Sequence, residues 1–144
     1  MISFEPYERK AQYYETDQMG IIHHSNYIRW FEEARVDFME KMGMGYDVME
    51  QNGIISPVLA MCCEYKSMVR FGDIVLIKPL IKQYNGIKMV ISYTVIDKNT
   101  GDLRCVGESK HCFLNQEGRP ISLKRTNKEF DDKFKGLLAD NSEE

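Results

Sequence analysis

The stretch Tyr14-Glu15-Thr16-Asp17-Gln18-Met19-Gly20-Ile21-Ile22-His23-His24-Ser25-Asn26-Tyr27-Ile28-Arg29-Trp30-Phe31-Glu32-Glu33-Ala34-Arg35 decides the fold. Its second half carries a helical pattern: Tyr27, Trp30, Phe31, Ala34, Phe38 and Met42 recur at three- and four-residue spacing, with Arg29, Glu33, Asp37 and Lys41 elsewhere. The spacing predicts a helix over 26–42, capped by Ser25 or Asn26 and stopped at Gly43. A helix start leaves backbone N–H groups unpaired at the positive end of the dipole. Asp17, two histidines and that helix start fall within ten residues. Together they offer a group to attack a carbonyl and donors to hold the oxyanion.

Outward from this segment the texture is mostly β. An early strand is expected over roughly 4–14, and a short second helix over about 45–51, before the Asn52-Gly53 break. Val58 to Arg70, Ile74 to Tyr84, Ile87 to Ile96 and Arg104 to Leu114 read as strands. Asn85-Gly86 is a two-residue hairpin signal, and Gly72-Asp73, Asn99 to Asp102 and Asn115 to Gly118 supply further turns. Pro79 argues for an edge position or a bulge. Thr126-Asn127-Lys128-Glu129 has the form of a capping box before a last helix with Phe130, Phe134, Leu137 and Leu138. One long helix followed by an antiparallel meander implies an α+β domain with the sheet wrapped around the helix. A single domain over 1–138 with a disordered acidic tail at 139–144 is expected.

At 144 residues the chain can bury a core without metal or disulfide support. A net charge of −3 gives no electrostatic case for nucleic acid. Cys62, Cys63, Cys105 and Cys112 show no C-x-x-C spacing, so reduced thiols in a cytoplasmic protein are expected. The N-terminus lacks the pattern of a signal peptide, and no apolar run approaches membrane-spanning length.

Asp17-x-x-Gly20, Tyr27 and Glu32-x-Ala34-Arg35, in this order and spacing, resemble the signature of hotdog-fold acyl-CoA thioesterases of the 4-hydroxybenzoyl-CoA thioesterase type. The small bacterial branch that includes the Tol-Pal-associated thioesterase is the most similar. Arg70-Phe71-Gly72-Asp73 resembles the family's turn before its third strand, where proline is commoner. The resemblance spans roughly residues 5–122. It implies a hotdog fold, hydrolysis of an acyl-CoA without a cofactor, and a homodimer or homotetramer whose sheets join edge to edge.

The resemblance implies that Asp17 is the nucleophile or the general base, two roles the sequence leaves open. A thioester suits a lone carboxylate, because the leaving thiol has a pKa near ~8.5 and needs little acid help. His24 follows seven residues later, where its backbone N–H matches the family's oxyanion donor. Gly20 is expected to let the loop approach the substrate and Tyr27 to touch it; Tyr14 could touch it too, although tyrosines in strands and helices are more often core or interface. Glu32 is read as an i,i+3 ion pair to Arg35, His111 as structural, and most of the nine methionines as core. Lys66, Arg70, Lys88 and Lys110 are the cations available for coenzyme phosphates. Adjacent His23 and His24 do not form a zinc site. Two alternatives remain: a hotdog hydratase or dehydratase, against which stands Ile22 where those enzymes carry histidine, and a non-catalytic acyl-CoA-binding module.

Overall fold

The structure, a computed structural model, describes residues 4–138. In chain order it has β1 (Tyr7–Lys10), a 3-10 turn (Tyr13–Glu15), α1 (Ser25–Lys41), α2 (Tyr46–Gln51), β2 (Val58–Tyr65), β3 (Ile74–Tyr84), β4 (Lys88–Asp97), β5 (Leu103–Cys112), α3 (Leu123–Thr126) and α4 (Lys128–Gly136). The five strands make one antiparallel sheet in the order β1-β3-β4-β5-β2. The meander β3–β4–β5 fills the centre, and β2 closes the far edge beside β5. This is the α+β arrangement that the pattern of apolar residues implies. No helix among the described residues is long and apolar enough to cross a membrane. The tail expected to be disordered, 139–144, lies outside the described residues.

α1 turns Trp30, Phe31, Ala34, Phe38 and Met39 onto the sheet, where Ile77, Ile81, Ile91, Tyr93 and Val95 are equally buried. Phe31 stacks on Tyr93 at 4.6 Å between ring centroids, with the planes 14° apart. It can sit this low because residue 107 is glycine: a Cβ there would lie 2.5 Å from Phe31 Cε2 and 2.6 Å from the Cys62 carbonyl oxygen. Met39, Met44, Met49 and Met89 fill the remaining core, as expected of most methionines here.

Arg35 corrects the expected pairing with Glu32. The two lie on different faces of α1: Glu32 is exposed and Arg35 is buried one turn beyond Phe31. The Arg35 guanidinium donates to the hydroxyls of Tyr46 (2.8 Å) and Tyr93 (3.0 Å). Tyr93 shares a hydrogen bond with Ser109 Oγ (2.7 Å), which in turn meets His111 Nε2 (2.7 Å). A polar chain therefore runs through the core, with His111 only 1% exposed at its end. His111 Nδ1 faces the Pro57 backbone without a hydrogen bond of normal geometry. Burial, then the nearby Arg35 charge, hold the His111 imidazole well below its ordinary range, down to about 4.

Several boundaries differ from the sequence pattern, each for a local reason. The early strand is only four residues, because the chain turns into the 3-10 turn at Tyr13. β2 stops at Tyr65: Lys66 N and Ser67 N both go to the Arg104 carbonyl, which ends the ladder, and residues 66–70 leave the sheet. The β3–β4 connection is Asn85 to Ile87, with the Asn85 side chain accepting from the N–H groups of Ile87 and Lys88. Asn85 keeps negative φ, so the two-residue turn does not form. Thr126 closes α3, and Asn127 alone caps α4 by accepting from Phe130 N at 3.1 Å. At the start of α1 neither Ser25 nor Asn26 is the cap. That position falls on His24, and the His23 ring accepts from Ser25 N at 3.2 Å. Gly43, at φ 76°, stops α1 as expected. Pro79 is buried on β3 beyond the end of the β1 pairing, two residues before the Ile81–Leu138 bridge.

Gly107→Ala is expected to destabilise the fold by about 1–3 kcal/mol through overpacking. Urea unfolding should show a lower midpoint with an unchanged slope. His111 makes stability pH-dependent with a defined sign. Its folded pKa lies below the unfolded value, so the unfolded chain takes up the proton first, and stability falls as pH drops from 7 toward 4. The loss should reach about 2 kcal/mol by pH 5. It should shrink in His111→Gln, compared with the wild type by urea midpoints at both pH values.

Candidate active site

Asp17 opens a tight turn. Gly20 N donates to the Asp17 carbonyl (3.0 Å), and Gly20 takes φ 75°, which a side chain would resist. Asp17 Oδ1 accepts from Met19 N (2.8 Å) and, at 3.4 Å, from Ile21 N. One carboxylate oxygen is thus held by the loop, and no described group bonds the other.

The turn is pinned from both sides. Asp17 N donates to Ile21 O, and Ile22 N to Val69 O, both at 2.8 Å, while Ile21 bridges Arg70. Residues 66–70 leave the β2 ladder to make these bonds. Upstream, the Glu15 carbonyl accepts from His23 N (2.8 Å) and from Asn26 Nδ2 (3.0 Å), which ties the loop to the first turn of α1.

At that helix start, Ser25 N is taken by the His23 ring, Asn26 N by the His23 carbonyl and Tyr27 N by the His24 carbonyl. His24 N–H has no acceptor among the described residues. The His24 ring stacks on His23 at 4.2 Å, and its carbonyl accepts from Tyr65 OH at 3.3 Å. Tyr65 also packs edge-on against Tyr27 at 5.1 Å. Burial foremost pushes both phenols up to about 12, so near neutral pH they are donors and apolar surfaces, not bases.

Asp17, His24 and Tyr27 line one cleft of about 360 Å³ with Met19, Ile21, Ile22, Tyr65, Lys66, Ser67 and Met68. Gly20 does not line it but shapes the turn between two residues that do. Tyr14 is exposed outside the cleft. Of the four cations weighed for coenzyme phosphates, only Lys66 is on this wall. Lys88 and Lys110 line a separate depression with Leu59 and Gln83. Tyr65 escaped sequence reasoning, because it ends a strand remote from the Asp17 segment and no local motif marks it. No three His, Cys, Asp or Glu side chains among the described residues converge as metal ligands.

The sequence profile of the thioesterase-like superfamily matches residues 12–138. A Bacillus subtilis protein named as a candidate acyl-CoA thioesterase is 34% identical over 119 residues, covering 82% of this chain and 86% of the relative. The crystal structure of a DHNA-CoA thioesterase from Staphylococcus aureus superposes with a TM-score of 0.88 at 33% identity, covering 96% of this chain and 93% of the other. With its antiparallel sheet, its long helix and its Asp17 turn, the chain belongs to the thioesterase-like superfamily and is a hotdog-fold thioester hydrolase.

Proposed function

We propose that the protein hydrolyses acyl-CoA thioesters, with the Asp17 carboxylate as nucleophile or general base and the His24 N–H as oxyanion donor. The observation that carries this reading is that Asp17, with one carboxylate oxygen unbonded among the described residues, and His24, with its helix-start N–H unpaired there, line one cleft. The names of the relatives above support the acyl-CoA class. In the first step either Asp17 Oδ2 attacks the thioester carbon, or it takes a proton from the water that does. The carbonyl oxygen gains negative charge, which the His24 N–H and the helix dipole stabilise. The thiolate then leaves. On the nucleophilic route water hydrolyses the mixed anhydride, which returns Asp17 and releases the acid. Tyr27, Tyr65, Met19 and Met68 offer an apolar wall for the acyl group, and Lys66 a cation at the rim. Four free thiols fit a reducing compartment, and we place the protein in the cytoplasm.

We also propose a dimer through β2. This edge is eight residues long, paired among the described residues with β5 alone, and exposes Val58, Leu59 and Tyr65. Such an edge invites strand pairing, whereas the opposite edge is the four-residue β1, which carries Glu8, Arg9 and Lys10. Two copies related by a two-fold axis pair antiparallel, with one residue facing its own copy. Centring the overlap puts that residue beside Cys62. Tyr65 then stands at the seam, and the cleft lies against the subunit contact.

Asp17→Asn is expected to abolish thiol release from acyl-CoA esters and leave the unfolding midpoint near that of the wild type. Wild-type turnover in this variant would overturn the mechanism. Absorbance loss with enoyl-CoA and no thiol release would move the assignment to a hydratase. Cys62→Lys places like charges close across the axis and should shift the sedimentation mass from dimer to monomer, with activity falling in parallel. A monomeric wild type would refute the β2 dimer.

A further inference from the structure

Glu15 lies two residues before Asp17 and is 3% exposed, off the cleft wall. Its Oε1 accepts from Gln12 N (2.8 Å), and its Oε2 from Trp30 Nε1 (2.9 Å) and Arg9 Nη2 (3.1 Å). These partners belong to the 3-10 turn, the buried middle of α1 and β1. Its main-chain carbonyl holds His23 N and Asn26 Nδ2 at the helix entrance. One residue therefore ties β1, the 3-10 turn and α1 together, and with the neighbouring Thr16–Ile22 bridge it braces the backbone that runs from the Asp17 turn into the helix start.

We propose that Glu15 is a positioning residue of the hydrolase: it sets the Asp17 carboxylate relative to the His24 N–H, and only a carboxylate can do so. The proposal rests on the thioesterase reading above. All three side-chain partners are donors, so both oxygens must accept. Glutamine offers one accepting oxygen and one donating NH2, and whichever way it is turned a donor faces a donor. An amide here must shift, and the shift passes through the Glu15 main chain to His23 and so to the adjacent His24 N–H. The core end of the link is firm, since Trp30 is fully buried. The Arg9 end is adaptable, because Arg9 is also held by Glu33 at 2.9 Å and can stay there if Glu15 no longer accepts from it.

The test is Glu15→Gln in the full chain, with Trp30→Phe alone and in combination. Glu15→Gln should lower kcat about a hundred-fold, the loss produced by a misplacement of about 1 Å, with KM little changed. Trp30→Phe removes the indole donor, so the double variant should regain kcat over Glu15→Gln although two buried groups are altered. Amide exchange reads the same link without substrate. His23 N–H should lose about ten-fold of its protection in Glu15→Gln, while the β3–β4 amides keep theirs. Unchanged kcat, a kcat loss matched by loss of protection throughout the sheet, or a double variant worse than Glu15→Gln would each overturn the positioning role. If the wild type releases no thiol from any ester, the hydrolase reading fails, and the exchange of His23 still decides whether Glu15 holds the helix entrance.

Discussion

The close approach of α1 to the sheet over Gly107 governs the rest of the molecule. Phe31 reaches Tyr93 because no Cβ intervenes, and the stacked pair sets the height and roll of the helix. Once the roll is fixed, Trp30 points toward the β1 side, where its indole meets Glu15, and Arg35 points inward to Tyr46 and Tyr93. The helix N-terminus is then presented at the β2 edge, beside Tyr65. Apolar packing supplies the burial, while the polar chain from Arg35 to His111 fixes the register, since sliding α1 by a turn would strand a guanidinium in the core.

The site is assembled by backbone more than by side chains. Asp17 is held by two N–H groups of its own loop, the loop by Val69 and Arg70, and the helix entrance by the Glu15 carbonyl. Main-chain bonds of this kind tolerate change in the side chains around them. The cleft wall, made of Met19, Met68, Tyr65 and Tyr27, can therefore vary in shape while Asp17 and the helix start stay in place.

Much of this was legible in the sequence where a periodic pattern or a turn residue carried it. α1, the meander and Asp17 with its glycine turn follow from spacing and turn chemistry, and the family resemblance added the hotdog fold and the chemistry. Contacts between segments far apart in the chain were not legible. Arg35 looked like a partner of Glu32 because i,i+3 neighbours are visible in one dimension, whereas its bond to Tyr93 spans 58 positions. Tyr65 and residues 66–70 read as plain strand, since nothing local says where a ladder ends and the chain turns aside. Glu15 carried no signal of its own in the sequence, because its significance lies in three donors from separate parts of the chain.

The departure of residues 66–70 from β2 has a kinetic meaning. The segment binds the Asp17 turn from outside, so the turn has a hydrogen-bonded neighbour on each flank and little freedom to swing. A cleft built this way is organised before substrate arrives, and the ordering of Asp17 and the helix start is completed during folding, not during the encounter. Substrates should then enter and leave without a closing motion. Discrimination between acyl groups falls to the fit of the bound group, felt in how fast it departs, and not to a conformational gate that admits one and refuses another.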